Sequence, residues 1–394
     1  MYIFKNYVQS IGLLITFLLL LYVVVPFNIS FILGYALIAL FLFKKEFLLR
    51  NMDSDFVLLS IFSITYAAFY SFDPVGGGQF ILIYALFPPA FYLMGKYLTR
   101  KNTSSNLIFY IILVIGFAFS FSALVSVFIN FLQGGFSQMS RHIPMFWTDE
   151  LTYATKMGIF FTFNMCIPAL LIADQGKSKL ILRIIASTIF VLSLICVIRI
   201  GSRTQLGVII ITCLTAMLYV VPKQSFKKNF ALFVVLGVFT TIIYKNVSFD
   251  LNADWLTTFA GRLEKGTDDI ASGGGRSQRW VKSIENIFKK PLGWGLEEFG
   301  YAHNLWFDIL RVSGIIPFIL LIIFTIRSIL SIRKTIKLNQ HDLKFNVLIL
   351  VYGISFFLLF MVEPIFDGVF SMFVIFCLFI GMLNKYYTLQ LVKS

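Results

Sequence analysis

The sequence predicts an all-α protein that crosses a membrane many times. Its 394 residues are 58% hydrophobic and 13% charged, with a mean hydropathy of +0.86, whereas soluble proteins average about half apolar and a quarter charged residues. Its apolar stretches are long enough, at about 1.5 Å per residue, to cross a hydrocarbon core of about 30 Å. Lipid permits only helices or closed barrels, and no period-two alternation appears, so we expect helices.

About twelve spans are expected along the chain. The second and ninth are short for a full crossing, so counts of ten or eleven stay open. In order, the expected spans are residues 7–25, 29–43, 56–72, 80–97, 107–132, 153–173, 180–199, 205–222, 230–244, 304–330, 345–362 and 367–384.

The distribution of Lys and Arg predicts the orientation. Basic residues concentrate in alternate loops, whereas the short loops around Asn28, 73–79 and 363–367 contain none. By the positive-inside rule, both termini are expected in the cytoplasm and the segment 245–303 outside. The net charge of +14 is then mostly a matter of topology. No nucleic-acid-binding motif accompanies it, so nucleic acid is not an expected partner.

One long polar segment interrupts the apolar pattern and divides the chain into three regions. Residues 1–244 are expected to hold spans one to nine, residues 245–303 a large extracytoplasmic loop, and residues 304–394 the last three spans and a cytoplasmic tail. Within the loop, apolar residues recur at helical spacing from Trp280 to Phe288, which predicts an amphipathic helix against the membrane surface. Arg262 also lies in this loop.

A glycine-rich turn ending at Gly275 leads into that helix. The first turn of a helix presents backbone N–H groups to an anion, and Arg276 and Arg279 both fall there. A phosphate group is therefore an expected ligand. Arg199 and Arg203, at the outer junction of two spans, are further candidates for phosphate binding; snorkelling of their side chains to the interface is the alternative.

His303 stands at the end of the loop, followed by Asn304 and a helix. An imidazole has an ordinary pKa of about 6.5 and can accept a proton from a hydroxyl, although a polar residue at a helix start explains it as well. Asp308 and Arg311 fit an internal ion pair. The Asp53-Ser54-Asp55 sequence lies in a short cytoplasmic loop without a nucleotide-binding motif, so we expect it to be structural, and neither a metal nor a cofactor is expected.

Three motifs in this order resemble the O-antigen polymerase and O-antigen ligase superfamily. They are Gly-Ser-Arg-Thr at 201–204, Gly275-Arg276 with an amphipathic segment ending in Pro-Leu-Gly-Trp-Gly at 291–295, and His303-Asn304 leading to Gly314. Together they cover about residues 199–317; the rest of the chain agrees only in hydropathy.

The resemblance implies a metal-independent GT-C-like glycosyltransferase of the bacterial inner membrane. Its donor would be a glycan on undecaprenyl diphosphate, with Arg203 and Arg276 binding the diphosphate and His303 acting as the base. Arg199 and Arg279 match less closely and are added as secondary phosphate contacts, with Asn304 and Gly275 in support. The implied partners are lipid-linked oligosaccharides, membrane lipids and a chain-length regulator.

Two alternatives to polymerisation stay open. A ligase, which would transfer the glycan to the lipid A core, shares the motifs, although the continuation from Leu305 to Leu310 favours a polymerase. A lipid-linked sugar flippase is compatible with twelve spans, but a carrier is expected to place its ionisable residues in the middle of the membrane. Here they cluster at the outer end.

Overall fold

The structure is a computed structural model that describes residues 7–8, 10–100, 104–136, 138, 140–174, 179–246, 253–258 and 275–392. Arg262 and most of the predicted loop at 245–303 lie outside these residues. The elements are, in order, α1 Leu13–Val24, α2 Ser30–Leu42, α3 Lys45–Asn51, α4 Ser54–Tyr70, α5 Gln79–Thr99, α6 Ser105–Gly134, β1 His142–Pro144, β2 Leu151–Tyr153, α7 Ala154–Phe160, α8 Thr162–Met165, α9 Ile167–Asp174, α10 Leu180–Arg199, α11 Arg203–Val220, α12 Phe226–Asn246, α13 Arg276–Lys289, α14 Leu305–Ser313, α15 Ile315–Leu338, α16 Leu343–Val362, α17 Ile365–Gly368 and α18 Phe370–Leu391.

The described residues form a helical, multi-pass membrane protein. Eight of their helices are long and apolar enough to cross a membrane, and a ninth span results if α3 and α4, which meet at 100°, count as one. The eight are α5, α6, α10, α11 with its 3-10 extension to Lys223, α12, α15, α16 and α18.

The expected count of about twelve spans is not confirmed. Helices α1 and α2 have 12 and 13 residues, which reach only about 18–20 Å at about 1.5 Å per residue. The expected span 153–173 is divided among α7, α8 and α9. Gly314, with a φ of 72°, separates α14 from α15 within the expected span 304–330.

The chain folds into two compact units. The first unit comprises Met1–Ala118, Ser272–Gln340 and Phe356–Ser394, and the second comprises Phe119–Ala271 and His341–Ser355. Two of the four unit boundaries therefore fall inside α6 and α16.

In the first unit, α5 and α18 pack backbone to backbone. A Cβ atom added at Gly95 would lie 2.0 Å from the carbonyl oxygen of Leu378, and one added at Gly381 would lie 2.0 Å from that of Tyr92. Small residues allow helices to approach closely where lipid removes the hydrophobic drive for association. These two glycines therefore set the spacing of the helix pair.

An aromatic core joins this helix pair to α4 and α17. The ring of Phe366 in α17 lies 4.9 Å from Tyr66 in α4, 5.4 Å from Tyr84 in α5 and 5.0 Å from Phe373 in α18, measured between ring centroids. Aromatic pairs at such distances contribute about 0.5–1.5 kcal/mol each beyond the area that they bury. The core thereby fixes the position of α17, in which Asp367 directly follows Phe366.

The Asp53-Ser54-Asp55 sequence is part of a polar network in the first unit. The Asp53 side chain caps α4 by accepting from the backbone N–H of Phe56 at 3.0 Å, and it forms an ion pair with Lys96. Asp55 forms an ion pair with Arg327 and accepts from Asn384 at 2.9 Å. These contacts assign both carboxylates to helix capping and helix packing.

The second unit contains a hairpin that the sequence analysis did not anticipate. Strands β1 and β2 pair antiparallel, with His142 opposite Tyr153. Between them, the N–H of Met145 donates to the carbonyl of Glu150 at 3.0 Å, and Asp149 adopts a φ of 53°. With three residues in each strand, the alternation is too short to stand out against the apolar helical pattern.

The close contact of α5 with α18 leads to a stability prediction. Gly95→Ala should lower the stability by about 1–3 kcal/mol or more, because a backbone carbonyl cannot rotate away from the new methyl group. Gly207→Ala is the matched control, since nothing lies within 4 Å of its Cβ position in α11 and alanine favours a helix by about 1 kcal/mol. Thermal unfolding of the purified protein in detergent measures both, and equal unfolding temperatures for the two variants would contradict the assignment.

Candidate functional site

His303 lies in a turn with a left-handed backbone. Its φ of 53° is uncommon for residues other than glycine and costs on the order of 1–3 kcal/mol unless the surroundings hold it. The next residue, Asn304, caps α14, where its side-chain oxygen accepts from the N–H groups of Trp306 and Phe307, each at 3.2 Å. Helix α14 therefore begins directly after His303.

The carboxylate of Asp308 holds the peptide groups on both sides of His303. Its Oδ1 accepts from the N–H of Ala302 at 2.8 Å and its Oδ2 from the N–H of Asn304 at 3.2 Å. Burial raises the pKa of Asp308 from 3.8 to about 7, and its side chain is only 1% exposed, so both hydrogen bonds lie in a low-dielectric interior where they are stronger than in water. These two bonds stabilise the strained conformation of His303.

Arg311 and Asp367 complete a buried ion triad with Asp308. The Nε of Arg311 lies 3.9 Å from Oδ1 of Asp308, and its Nη2 donates to Oδ2 of Asp367 at 3.2 Å. The exposed fractions of the Arg311 and Asp367 side chains are 2% and 15%. Loss of one partner from a buried pair costs about 3–5 kcal/mol because the remaining charge is uncompensated, so the buried ion triad acts as one structural group.

The Pro-Leu-Gly-Trp-Gly loop at 291–295 packs on the C-terminal end of α14. The N–H of Trp294 donates to the carbonyl of Arg311 at 2.9 Å, and the N–H of Ile315 donates to that of Pro291 at 2.8 Å. Gly293, with a φ of 103°, leaves no room for a Cβ, which would lie 2.4 Å from the Arg311 oxygen. This close approach is the physical reason for the first glycine of that motif.

Helix α13 is attached to the His303 turn from the other side. Nη1 of Arg279 donates to the carbonyl of Tyr301 at 3.0 Å, and the indole N–H of Trp280 donates to that of Ala302 at 3.0 Å. The first turn of α13 and the turn at His303 are thus held together. Trp280 faces the protein, whereas Val281, Ile284 and Phe288 form the exposed apolar side of the helix.

Arg276 begins α13 and contacts Glu363. Its Nη2 lies 3.6 Å from Oε2 of Glu363, and its side chain is 29% exposed. Gly275 before it has a φ of 76°, and nothing lies within 4 Å of its Cβ position. The start of a helix attracts anions through its dipole and its N–H groups, so an arginine at this position adds full positive charge to an anion-binding environment.

The imidazole of His303 is half-buried in this positive field. Burial, with the nearby charges of Arg276 and Arg279, lowers the pKa of His303 from 6.5 to about 4. The ring is therefore neutral near pH 7 and able to accept a proton. Its Nδ1 is buried and has no hydrogen-bond partner among the described residues.

Arg199 and Arg203 belong to the second unit. The guanidinium of Arg199 is buried and donates to the Gln138 side chain at 2.9 Å and to the Ser140 carbonyl at 3.2 Å. Arg199 therefore supports Gln138 and Ser140, and this geometry favours a positioning role over a direct phosphate contact. Arg203 is the first residue of α11 and is half-buried.

The turn before Arg203 explains the Gly-Ser-Arg-Thr motif. Gly201 has a φ of 62°, and a Cβ there would lie 2.6 Å from Cγ2 of Thr258. Ser202 follows as the N-cap residue of α11. The glycine thus allows the chain to reverse from α10 into α11, which places Arg203 at a helix start, as Gly275 does for Arg276.

The structure brings five of the predicted site residues together and adds two acidic partners that the sequence motifs do not predict. Gly275, Arg276, Arg279, His303 and Asn304 all lie in the first unit, at α13 and the start of α14. The added partners are Glu363, which contacts Arg276, and Asp367, which extends the expected pair of Asp308 and Arg311. The sequence does hold a signal for both acids, since they are the two carboxylates of the short segment between α16 and α18.

The part of the chain that the structure describes holds no cluster of three or more metal-ligating side chains. No protein-family model matches the sequence, and no curated protein matches it significantly.

The electrostatics of His303 lead to a pH prediction. Arg276→Gln should raise the pKa of His303 above about 4, because one of the two neighbouring positive charges is lost. Lys289→Gln removes the same charge from the far end of α13, about 20 Å away along the axis, and should leave the pKa unchanged. Histidine-selective NMR titration measures both; an unperturbed pKa near 6.5 in the unaltered protein would contradict the site.

The same shift predicts how stability responds to pH. Between pH 6.5 and about 4, the unfolded chain binds a proton at His303 that the folded protein does not. The contribution of His303 to stability should therefore fall as the pH drops through this window and be constant above it. Asp308, whose pKa burial raises from 3.8 to about 7, contributes in the opposite direction, so the difference in stability between the unaltered protein and His303→Ala, measured against pH, isolates the His303 contribution.

Proposed function

We propose that this protein is an O-antigen polymerase of the bacterial inner membrane. It transfers a glycan from undecaprenyl diphosphate to a hydroxyl of a lipid-linked repeat unit at the periplasmic face. The proposal includes a GT-C-like fold of about twelve spans, both termini in the cytoplasm and a large periplasmic loop. It rests on the motif resemblance and on one structural observation, the strained His303 turn beside Arg276 and Arg279.

His303 acts as the base in this proposal. The acceptor hydroxyl oxygen forms a bond to the anomeric carbon of the donor sugar, the bond from that carbon to the phosphate oxygen breaks, and the hydroxyl proton moves to the neutral imidazole. A left-handed turn held by Asp308 presents the ring in a fixed direction. A fixed base requires less reorganisation at the moment of reaction than a mobile one.

Arg276 and Arg279 stabilise the departing diphosphate. Preorganised cationic donors aimed at developing negative charge are commonly the largest single contribution to catalysis. The same two arginines explain how His303, whose pKa is lowered in the free protein, becomes a stronger base when the donor binds. A bound diphosphate offsets the two positive charges, which raises the pKa of His303 while the donor is in place.

Arg203 retains the direct diphosphate contact that the resemblance implies, whereas Arg199, added as a secondary phosphate contact, acts indirectly in this proposal. Arg203 and Arg276 are each the first residue of a helix, with a glycine of positive φ two residues before Arg203 and directly before Arg276. For Arg199, the bonds to Gln138 and Ser140 support an indirect contribution through these two residues. The proposed partners are lipid-linked oligosaccharides, membrane lipids and a chain-length regulator.

A gene deletion in the source bacterium distinguishes the proposed polymerase from its alternatives. Surface lipopolysaccharide with a single repeat unit on the core is the expected result. Bare core with polymer retained on the lipid carrier would instead indicate a ligase. Bare core with single repeat units confined to the cytoplasmic leaflet would indicate a flippase, and unchanged lipopolysaccharide would contradict all three.

Rate measurements with purified protein test the assigned residues. With a lipid-diphosphate-linked repeat unit as substrate, Arg276→Ala should lower the rate by about 100-fold or more, or about 3 kcal/mol, as for loss of one donor to a developing anion. His303→Ala should lower it by about 100-fold to 10,000-fold. Lys289→Ala, at the exposed end of α13, is the control. A folded His303→Ala protein with full activity would remove His303 from the mechanism.

A further inference from the structure

A cavity of about 250 Å³ lies in the first unit beside the buried ion triad. It is smaller than the range of about 300–1,000 Å³ typical of pockets for drug-sized ligands, so it suits one ring rather than an oligosaccharide. Its lining comes from the end of α4, the turn after it, the 291–295 loop, α14 and α17. The lining residues that matter for the argument are Phe69, Tyr70, Asp73, Trp294, Arg311 and Asp367.

The lining combines aromatic rings with carboxylates. Aromatic faces bury the C–H surfaces of a ring-shaped ligand, while carboxylates accept hydrogen bonds from its hydroxyl groups. Arg311 also lines the cavity, and its 2% exposed side chain is paired with Asp308 and Asp367.

The charge of the cavity distinguishes it from the phosphate-binding side of the site. Its lining contains two carboxylates, Asp73 and Asp367, but one guanidinium, and that guanidinium is paired with Asp367 at 3.2 Å. A diphosphate would be repelled here and attracted to Arg276 and Arg279 instead. A neutral polyhydroxylated ring, or one with an amino group, matches the cavity.

The geometry points to this cavity as a subsite for one sugar ring of the glycan substrate. Asp73 and Asp367 accept hydrogen bonds from its hydroxyl groups, and Trp294 and Phe69 cover its apolar edges. The inference rests on the proposed function for the identity of the glycan, because the structure supplies only the chemistry of a monosaccharide site.

The subsite is mechanically connected to His303. Arg311 lines the cavity and contacts Asp308, and Asp308 in turn holds the peptide groups of Ala302 and Asn304. A sugar that contacts Arg311 is therefore two contacts away from the backbone that orients the base. This connection would align one sugar residue of the substrate with the reacting hydroxyl.

Direct binding of monosaccharides tests the subsite without any transfer reaction. The full-length protein in lipid nanodiscs is examined by saturation-transfer NMR with N-acetylglucosamine, galactose and glucosamine as separate probes. At least one probe should bind, and Asp73→Asn should weaken its binding by about tenfold, since a hydrogen bond to a charged acceptor is replaced by a neutral one. Asp73 is exposed, so this substitution leaves the fold intact.

Three further variants make the test specific. Trp294→Ala should also weaken binding, whereas Glu285→Gln, which removes an exposed carboxylate of α13 outside the cavity, should not. His303→Ala should bind the sugar normally because His303 does not line the cavity. Binding that is insensitive to both Asp73→Asn and Trp294→Ala would overturn the subsite.

The outcomes separate the subsite from the proposed function. If purified protein transfers glycan but none of the three sugars binds, the subsite is wrong and the polymerase proposal stands. If a sugar binds through Asp73 and Trp294 but no transfer occurs, the subsite stands and the polymerase proposal fails.

Discussion

The buried ion triad of Asp308, Arg311 and Asp367 is the constraint on which the candidate site depends. A charge with so little access to water is tolerated only when it is paired and hydrogen-bonded, and here the pairing links α14 to α17. The oxygens of Asp308 then bind the peptide groups around His303. The left-handed turn at His303 is stabilised by this arrangement, so the direction of the imidazole follows from an ion cluster that the reacting groups need not touch.

The helix packing of the first unit holds Asp367, one member of that triad, in position. Asp367 is in place because Phe366, the residue before it, packs among rings from α4, α5 and α18. Helices α5 and α18 can hold those rings because two glycines allow their backbones to touch. A chain of ordinary packing contacts therefore connects the middle of the helix bundle to the turn that carries His303.

Charge divides the surroundings of His303 into two different environments. On the α13 side, burial and the positive charges of Arg276 and Arg279 lower the pKa of the imidazole. On the α17 side, the cavity lining has an excess of carboxylates and several aromatic rings. A substrate made of a sugar joined to a diphosphate has the same division, and the proposed transfer uses the bond between its two parts. In the proposed transfer, a bound anion would weaken the positive field of the arginines and so raise the pKa of His303, which links donor binding to base strength.

The sequence by itself determined the helical, multi-pass character of the protein, because hydropathy reports burial in lipid directly. It also indicated Arg276, Arg279 and His303, since glycine turns and helix starts are local features. The tertiary structure alone decided that Glu363 contacts Arg276 and that Asp367 completes the triad. It also decided that the Gln138 side chain accepts a hydrogen bond from Arg199. It also decided which of the expected spans are short or interrupted helices. The three contacts join residues far apart in the chain, which are brought together by helix packing. Periodicity in the sequence shows which face of a helix is apolar, but it does not show which distant residue that face contacts.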